Sequence, residues 1–358
     1  MPSDTLAVPA RHVTGPNVGS LGLILPTFPQ DRDVLPSATA LADLCRRAEA
    51  GGAGALWVCD HIFWHGPALE ALSALGVAAG ATRHAAIGTC ILQLPLRHAP
   101  SVAKAAASLD HLSGGRLVLG VGVGTHPGEY AAAGVEFGSR GRRLDEGIAT
   151  LRRAWAVSPG DRYAQLPPGG SVPVWVGGSS EAALRRAARH GDGWIPLFVP
   201  PDEFAAALGR LDKEAERVGR DPGSVAHATV AFVSVGPSGA KERGLSWMAS
   251  LYGLAPRSFE RHLVAGSARS CATALARFAE SGARHIAVFV TSDDPLVQFE
   301  DLAGEFAGLV ASRSAPPTTA AAVDQAGSKL HGVASGPVLV GNGVSTTSGT
   351  SVVDQLWR

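Results

Sequence analysis

Three observations predict a (β/α)8 (TIM) barrel for this chain. Eight short apolar runs alternate with amphipathic segments almost from end to end. The runs are continuous in Val, Ile, Leu and Ala rather than alternating with polar residues. No Gly-x-Gly-x-x-Gly follows the first run, which ends in Leu25-Pro26-Thr27. Continuous apolar strands between helices mean a parallel sheet buried on both faces. Eight such units over about 290 residues fit a closed barrel better than a doubly wound sheet.

The expected strands are 21–25, 55–59, 86–92, 117–121, 174–176, 193–196, 225–235 and 285–290. Helices are expected over 37–50, 101–112, 140–155, 180–190, 201–218, 268–281 and 295–310; in the first, Leu41, Leu44, Cys45 and Ala48 fall on one face. Two connections are long. Residues 122–139 follow the fourth strand and are rich in Gly, and 236–267 form a long insertion after the seventh. Connections of that length in a compact barrel usually serve as walls or lids. Residues 1–18 are expected as an N-terminal arm, 19–311 as the barrel, and 312–358 as a low-complexity C-terminal extension rich in Ser, Thr, Gly, Val and Pro. That extension reads as a linker, or as an arm docking on the barrel or on a second subunit.

With 358 residues, 46% of them hydrophobic, there is ample material for a deep core. No apolar run reaches the roughly 18 residues of a spanning helix, so no membrane partner is expected. The zero net charge argues against nucleic acid or an anionic lipid surface. No secretory signal is expected, because the first 16 residues lack an apolar stretch. Cys45, Cys59, Cys90 and Cys271 are scattered without a Cys-x-x-Cys, so they read as buried reduced thiols in a cytoplasmic protein, with no metal site.

The most informative segment is 173–194. Val174-Trp175-Val176 forms a strand, Gly177-Gly178 turns tightly, and Ser179 or Ser180 caps a helix. The free amides of that first turn, with the helix dipole, make a phosphate cradle; the same pattern also serves as plain βα punctuation. Asp60 and His61 end the second strand, where this fold places catalytic groups. His61 can donate or accept a proton, and Asp60 orients it or caps the loop; a hydrogen-bonded structural histidine is the alternative. At the third strand's end Thr89 and Gln93 read as polar groups lining a pocket. Cys90 has apolar neighbours and no base beside it, which argues against a nucleophile. Gly120, Gly122 and Gly124 let a flat ligand approach the backbone, and His126, Glu129 and Tyr130 follow as reactive or surface residues. Phe63, Trp64, Leu94, Trp194 and Phe198 are expected to wall an apolar substrate pocket.

The chain has no Gly-x-Ser-x-Gly and no His-Glu-x-x-His, and no expected strand carries the Lys that a Schiff-base aldolase needs. This points to a cofactor enzyme, in which the protein supplies orientation and dryness.

Several segments, taken in order, resemble the bacterial luciferase-like superfamily of flavin- and deazaflavin-dependent oxidoreductases. They are Leu23-Ile-Leu-Pro26-Thr27, Trp57-Val-Cys-Asp60-His61, Gly88-Thr89-Cys90-Ile91, Asp110-His-Leu-Ser-Gly-Gly-Arg116, Arg143-Leu-Asp-Glu146-Gly, Val174-Trp-Val-Gly177-Gly178-Ser179 and Gly191-Asp-Gly193-Trp194. The resemblance covers roughly 19–311. It implies a flavin at the carboxyl end of the barrel, usually in a homodimer. Gly177, Gly178 and Ser179 would hold its phosphate, with His61 near the ring. Thr89, Cys90, Ile91, Gly122 and Gly124 would lie around the ring, and Cys90–Ile91 would be a non-proline cis peptide.

Two cofactors divide the superfamily. Members with reduced FMN use dioxygen through a flavin C4a-peroxide to oxygenate a substrate; members with the deazaflavin coenzyme F420 move a hydride. Asp60-His61 followed by Trp64 resembles the deazaflavin branch, with the spacing to Trp one residue shorter. The lack of a Lys-rich pocket turns the reading to an FMN monooxygenase. It would act on a mostly apolar molecule, possible secondary metabolites included, with a separate flavin reductase supplying reduced FMN. The alternatives are an F420-dependent hydride-transfer oxidoreductase and a non-catalytic flavin-binding protein.

Overall fold

The computed structural model describes residues 16, 19–28, 35–64, 66–156, 172–292 and 294–314. Most of the expected N-terminal arm, the extension beyond 314, and His65 lie outside the described residues.

The strands are β1 (Ser20–Ile24), β2 (Ala55–Val58), β3 (Ala86–Gln93), β4 (Leu117–Gly122), β5 (Val174–Gly177), β6 (Gly193–Ile195), β7 (Ala226–Val235), β8 (Leu263–Gly266) and β9 (His285–Val290). Strands β1 to β7 pair in sequence order, β7 pairs β9, and β9 returns to β1, all parallel. That closes an eight-stranded barrel. The ninth strand, β8, lies outside the closed ring on the upper end of β7, with Phe232 opposite Leu263. The long insertion after the seventh strand is therefore not plain loop. It carries a helix, α8 (Ala240–Tyr252), and then β8.

The other helices are α1 (Ala38–Ala50), α2 (Ala71–Ala81), α3 (Ala99–Ser113), α4 (Pro127–Ala132), α5 (Arg140–Trp155), α6 (Glu181–His190), α7 (Pro201–Arg217), α9 (Ala268–Glu280) and α10 (Pro295–Ser314). Their starts follow capping chemistry: the Ser37 hydroxyl accepts from the Ala40 amide at 3.2 Å, and Ser267 does the same for Ser270. Leu21, Leu23 and Leu25 of the first strand region face the helices and join the outer core, while Ile24 belongs to the barrel interior. The period of two along each strand makes this division. Arg116 locks the lower rim by donating to the carbonyls of Ala79, Thr82 and Ala85, which ties the end of α2 to β3 and β4.

Large side chains fill the barrel's interior. Trp57 and Trp175 pack at 5.5 Å between ring centroids, and the Trp57 indole N–H donates to His285 Nε2 at 2.9 Å. Ser20 Oγ lies 3.1 Å from His285 Nδ1. Gly22 is required beside them, since a Cβ there would fall 2.6 Å from Trp57 Nε1 and 2.8 Å from His285 Nε2. Burial lowers the His285 pKa to about 3, so the ring is neutral and acts as a fixed acceptor. The interior is solid here, which leaves the carboxyl end for chemistry. Among the described residues no helix is long and apolar enough to cross a membrane, and no cluster of three or more His, Cys, Asp or Glu has the geometry to hold a metal ion.

Candidate functional site

Strands β2, β3 and β4 deliver their following residues to one spot at the barrel mouth. The His61 ring meets Glu129 through Nδ1 to Oε2 at 2.8 Å. The other oxygen of Glu129 accepts from the amides of Ile62 at 2.7 Å and Phe63 at 3.1 Å. The Gln93 side-chain amide donates to the same carboxylate at 3.1 Å and to the Asp60 carbonyl at 3.0 Å. Glu129 is wholly buried. Burial alone would raise its pKa, but the bonds from His61, the Phe63 amide and Gln93 hold it below the ordinary glutamate value. A carboxylate buried with this many donors is a fixed anion that orients one imidazole.

The sequence left Asp60 either to orient His61 or to cap the loop, and its carboxylate turns to the β3 exit and not to the imidazole. The Asp60 carboxylate is engaged by Arg97, through Nη2 at 2.5 Å and Nε at 3.2 Å, and by the Gln93 backbone amide at 2.9 Å. Arg97 also reaches Glu70 at 3.0 Å. Asp60 thus anchors the β3 exit, and the partner of His61 comes from α4. Glu129 stands 68 residues away in the chain. The sequence signal for it was its place in the glycine-rich loop after the fourth strand.

Trp64 covers the His61 ring at 4.0 Å between centroids, and Phe28 meets it edge-on at 5.4 Å. Phe63 is 56% exposed and lies outside this stack. Leu94 is buried in the layer between barrel and helices, against Gly147 of α5, so it does not wall a pocket. Trp194 also faces outward, stacked on Phe204 of α7 at 5.2 Å. Phe198, at φ 59°, stacks on Phe232 and meets Tyr252 at 5.5 Å. It also lines a side cavity of about 160 Å³ with Arg261, His262 and Arg277.

The floor of the mouth is made by β3. Cys90–Ile91 is a cis peptide. The Ile91 side chain fills the space left by Gly122 and Gly177, where a Cβ would come within 2.7 Å of it. Gly124 lies against the Gln93 amide. Thr89 is buried and donates its hydroxyl to the Gly120 carbonyl at 2.7 Å, so it braces β3 on β4 and does not face a ligand. Burial pushes the Cys59 thiol up to about 12 and the Cys90 thiol well above its ordinary value, which leaves both protonated and poor nucleophiles.

The phosphate cradle is geometrically open. Ser180 caps α6, its hydroxyl accepting from the Ala183 amide at 3.3 Å, and the amides of Glu181 and Ala182 sit in the open first turn. Gly178 has φ +105°, and a Cβ there would be 3.1 Å from Ala183 Cβ. The Trp194 indole donates to the Gly178 carbonyl at 2.8 Å and fixes this turn from below. The residues fit a phosphorylated ring cofactor: a floor surfaced by Ile91 over Gly122 and Gly177, an exposed helix start at residues 180–182 and a proton carrier at one side. Gly178→Val should weaken binding of FMN or coenzyme F420 by about tenfold or more, since it strains the turn and blocks the approach. Fluorescence titration of each cofactor checks this, and unchanged affinity would remove α6 from the site.

The roof comes from the insertion. Trp247 of α8 packs edge-on against Phe289 at 5.3 Å, and Tyr252 at its end meets Trp64 at 6.2 Å and Phe259 at 5.5 Å.

Two curated relatives from Mycobacterium tuberculosis match parts of the chain. An uncharacterised protein is 38% identical over 143 residues, covering 36% of this chain and 48% of that one. The phthiodiolone/phenolphthiodiolone dimycocerosates ketoreductase is 30% identical over 239 residues, covering 56% and 61%. The chain therefore spans only about half of the first relative's length. Among solved structures, an F420-dependent secondary alcohol dehydrogenase in complex with an F420-acetone adduct superposes with a TM-score of 0.69 at 21% identity, over 80% of this chain and 97% of that one. The oxygenating constituent of 3,6-diketocamphane monooxygenase from Pseudomonas putida, in complex with FMN, gives 0.63 at 17% identity over 81% and 98%. Both share the fold. The family model for luciferase-like monooxygenases matches residues 20–243, more than half of the chain. The chain belongs to the luciferase-like monooxygenase family.

Proposed function

We propose that the protein is a coenzyme F420-dependent oxidoreductase that interconverts a secondary alcohol and a ketone on a bulky, mostly apolar, uncharged substrate. The observation that carries this reading is the His61–Glu129 pair at 2.8 Å. Alcohol–ketone interconversion moves one proton with each hydride, and a histidine held by a buried carboxylate is built to move that proton. The ketoreductase named among the relatives and the alcohol dehydrogenase among the structural neighbours support the same reaction type.

When bound, the deazaflavin would supply or accept the hydride at its ring. The chain's own residues do the rest. Glu129 accepts from His61 Nδ1, which leaves Nε2 to take the proton of an alcohol or return it to a ketone oxygen. As the ring becomes cationic, the adjacent carboxylate stabilises it. Trp64 and Phe28 flank the imidazole and fix its orientation. Gly177, Gly178 and Ser179, with the first turn of α6, would hold the cofactor phosphate.

The FMN monooxygenase reading uses the same site, and one experiment separates the two. Anaerobic titration with F420 and with oxidised and reduced FMN should give tighter binding of F420, and bulky neutral secondary alcohols should reduce the bound deazaflavin. Binding of reduced FMN alone, with substrate-dependent oxygen uptake, would establish the monooxygenase instead. A strong preference for a small, highly charged substrate would overturn the proposed substrate class.

A further inference from the structure

The roof contributed by α8 holds two polar groups that the proposed reaction leaves unused. The Trp247 indole N–H is buried without a hydrogen-bond partner. Its ring lies against Phe289, which in turn stacks on Phe232 at 5.0 Å. The Tyr252 hydroxyl meets no hydrogen-bond partner among the described residues. Its ring is held by Trp64, Phe198, Phe232 and Phe259, at 5.5 to 6.2 Å between centroids. A buried donor with no partner is costly, so the Trp247 indole calls for an acceptor, and the half-buried Tyr252 hydroxyl is equally unengaged by the described residues.

The position of the hydroxyl is informative. It lies close enough to the thiols of Cys59 and Cys90, on the barrel floor, to interact with them electrostatically. Its ring contact with Trp64, which covers His61, places it at the mouth. Burial raises its pKa well above the ordinary tyrosine value, so it stays protonated and serves as a donor. The indole can only donate. Trp64 touches both His61 and Tyr252, so Tyr252 lies beyond Trp64 from the proton carrier, and Trp247 joins Tyr252 through Phe289 and Phe232.

We infer that Tyr252 and Trp247 are specificity residues that donate to an acceptor oxygen of the substrate remote from the reacting carbon. The substrate class is then narrower than an apolar alcohol or ketone. It is a neutral keto or hydroxy compound whose apolar body carries a second oxygen, as in an ester, an ether or a second carbonyl. A charged head group does not fit, because the roof offers neutral donors within an aromatic surround. The inference rests on the proposed reaction only for the reacting end of the molecule.

Binding measurements test it without turnover. Methyl 7-oxooctanoate carries a ketone and a distant ester, and 2-decanone has the same length without the ester. Isothermal calorimetry should show that Tyr252→Phe weakens binding of the keto ester by about 2- to 12-fold, the range of one neutral hydrogen bond, and leaves 2-decanone within about twofold. Trp247→Phe should act in the same way. Unchanged melting temperature and near-UV circular dichroism confirm that each variant is folded. Equal losses for both probes, no loss for the keto ester, or no binding of the keto ester by the unaltered protein would each overturn the inference. A chain that binds the keto ester through Tyr252 yet turns over only with FMN and oxygen would refute the F420 reading and leave this one standing.

Discussion

Alanine at His61 should lower the rate of alcohol–ketone interconversion by about 10²–10⁴-fold while leaving the melting temperature near its original value. Glu129→Gln should cost less. Its carbonyl oxygen can still accept from the amides of Ile62 and Phe63, so the loop keeps its shape while the charge opposite the imidazole is lost. Combined with His61→Ala, it should add almost nothing, because the two residues act as one unit. Rates and thermal melts measured on the same preparations separate this from a structural role. A structural histidine would lower the melt and keep the rate per folded molecule. Asp60→Asn is the contrasting variant. It breaks the buried pair with Arg97, whose loss costs about 3–5 kcal/mol in such settings, so stability should fall much more than the rate of the folded fraction.

Acid should destabilise the barrel, and the buried His285 ring should carry a share that one substitution isolates. The pKa of His285 is about 3 in the folded state and near 6.5 when exposed, so the unfolded chain binds more protons between those values. Stability attributable to this group is complete above about pH 6.5 and is lost as pH falls toward the folded value. The slope is about 1.4 kcal/mol per pH unit, which makes on the order of 3 kcal/mol between pH 6.5 and 4. Urea unfolding at both pH values should show that loss. His285→Gln, which can still accept from the Trp57 indole, should be less stable at neutral pH and show a flatter dependence. An equal slope in both proteins would place the acid sensitivity elsewhere.

The eight barrel strands were legible because each is a compact apolar run bounded by turns, and both faces of each are buried. The short β8 escaped notice. Leu263-Val-Ala-Gly266 is half-buried throughout and pairs only at the edge of β7, so neither its length nor its pattern separates it from loop. Helix α2 was equally quiet, because Ala71–Ala81 is apolar on nearly every side and shows no stripe. In the site, the strand ends announced His61 and the Gly177–Gly178 turn, since both lie in local motifs. Strand parity misled the reading of Trp194: in a three-residue strand, Gly193-Trp194-Ile195, two adjacent apolar residues leave the inward face undefined. The pairing of Glu129 with His61 depended on tertiary contact alone. No local spacing tells a carboxylate in one loop that an imidazole from another strand end will arrive beside it.

The way the barrel closes also governs how the chain is made. β1 is complete once residue 24 has been synthesised, yet its second neighbour is β9, and Ser20 meets His285 across 265 positions. Until that last strand leaves the ribosome, β1 shows an open edge and β7 lacks its long partner, with rows of unpaired amides and carbonyls. Such delayed, distant pairing slows folding and prolongs the time in which two nascent chains can join edge to edge. A fragment ending at residue 243 would carry the whole matched family span and still be caught permanently in that state. It should aggregate on expression, and supplying the missing 244–314 segment in trans should be the most direct way to recover soluble barrel.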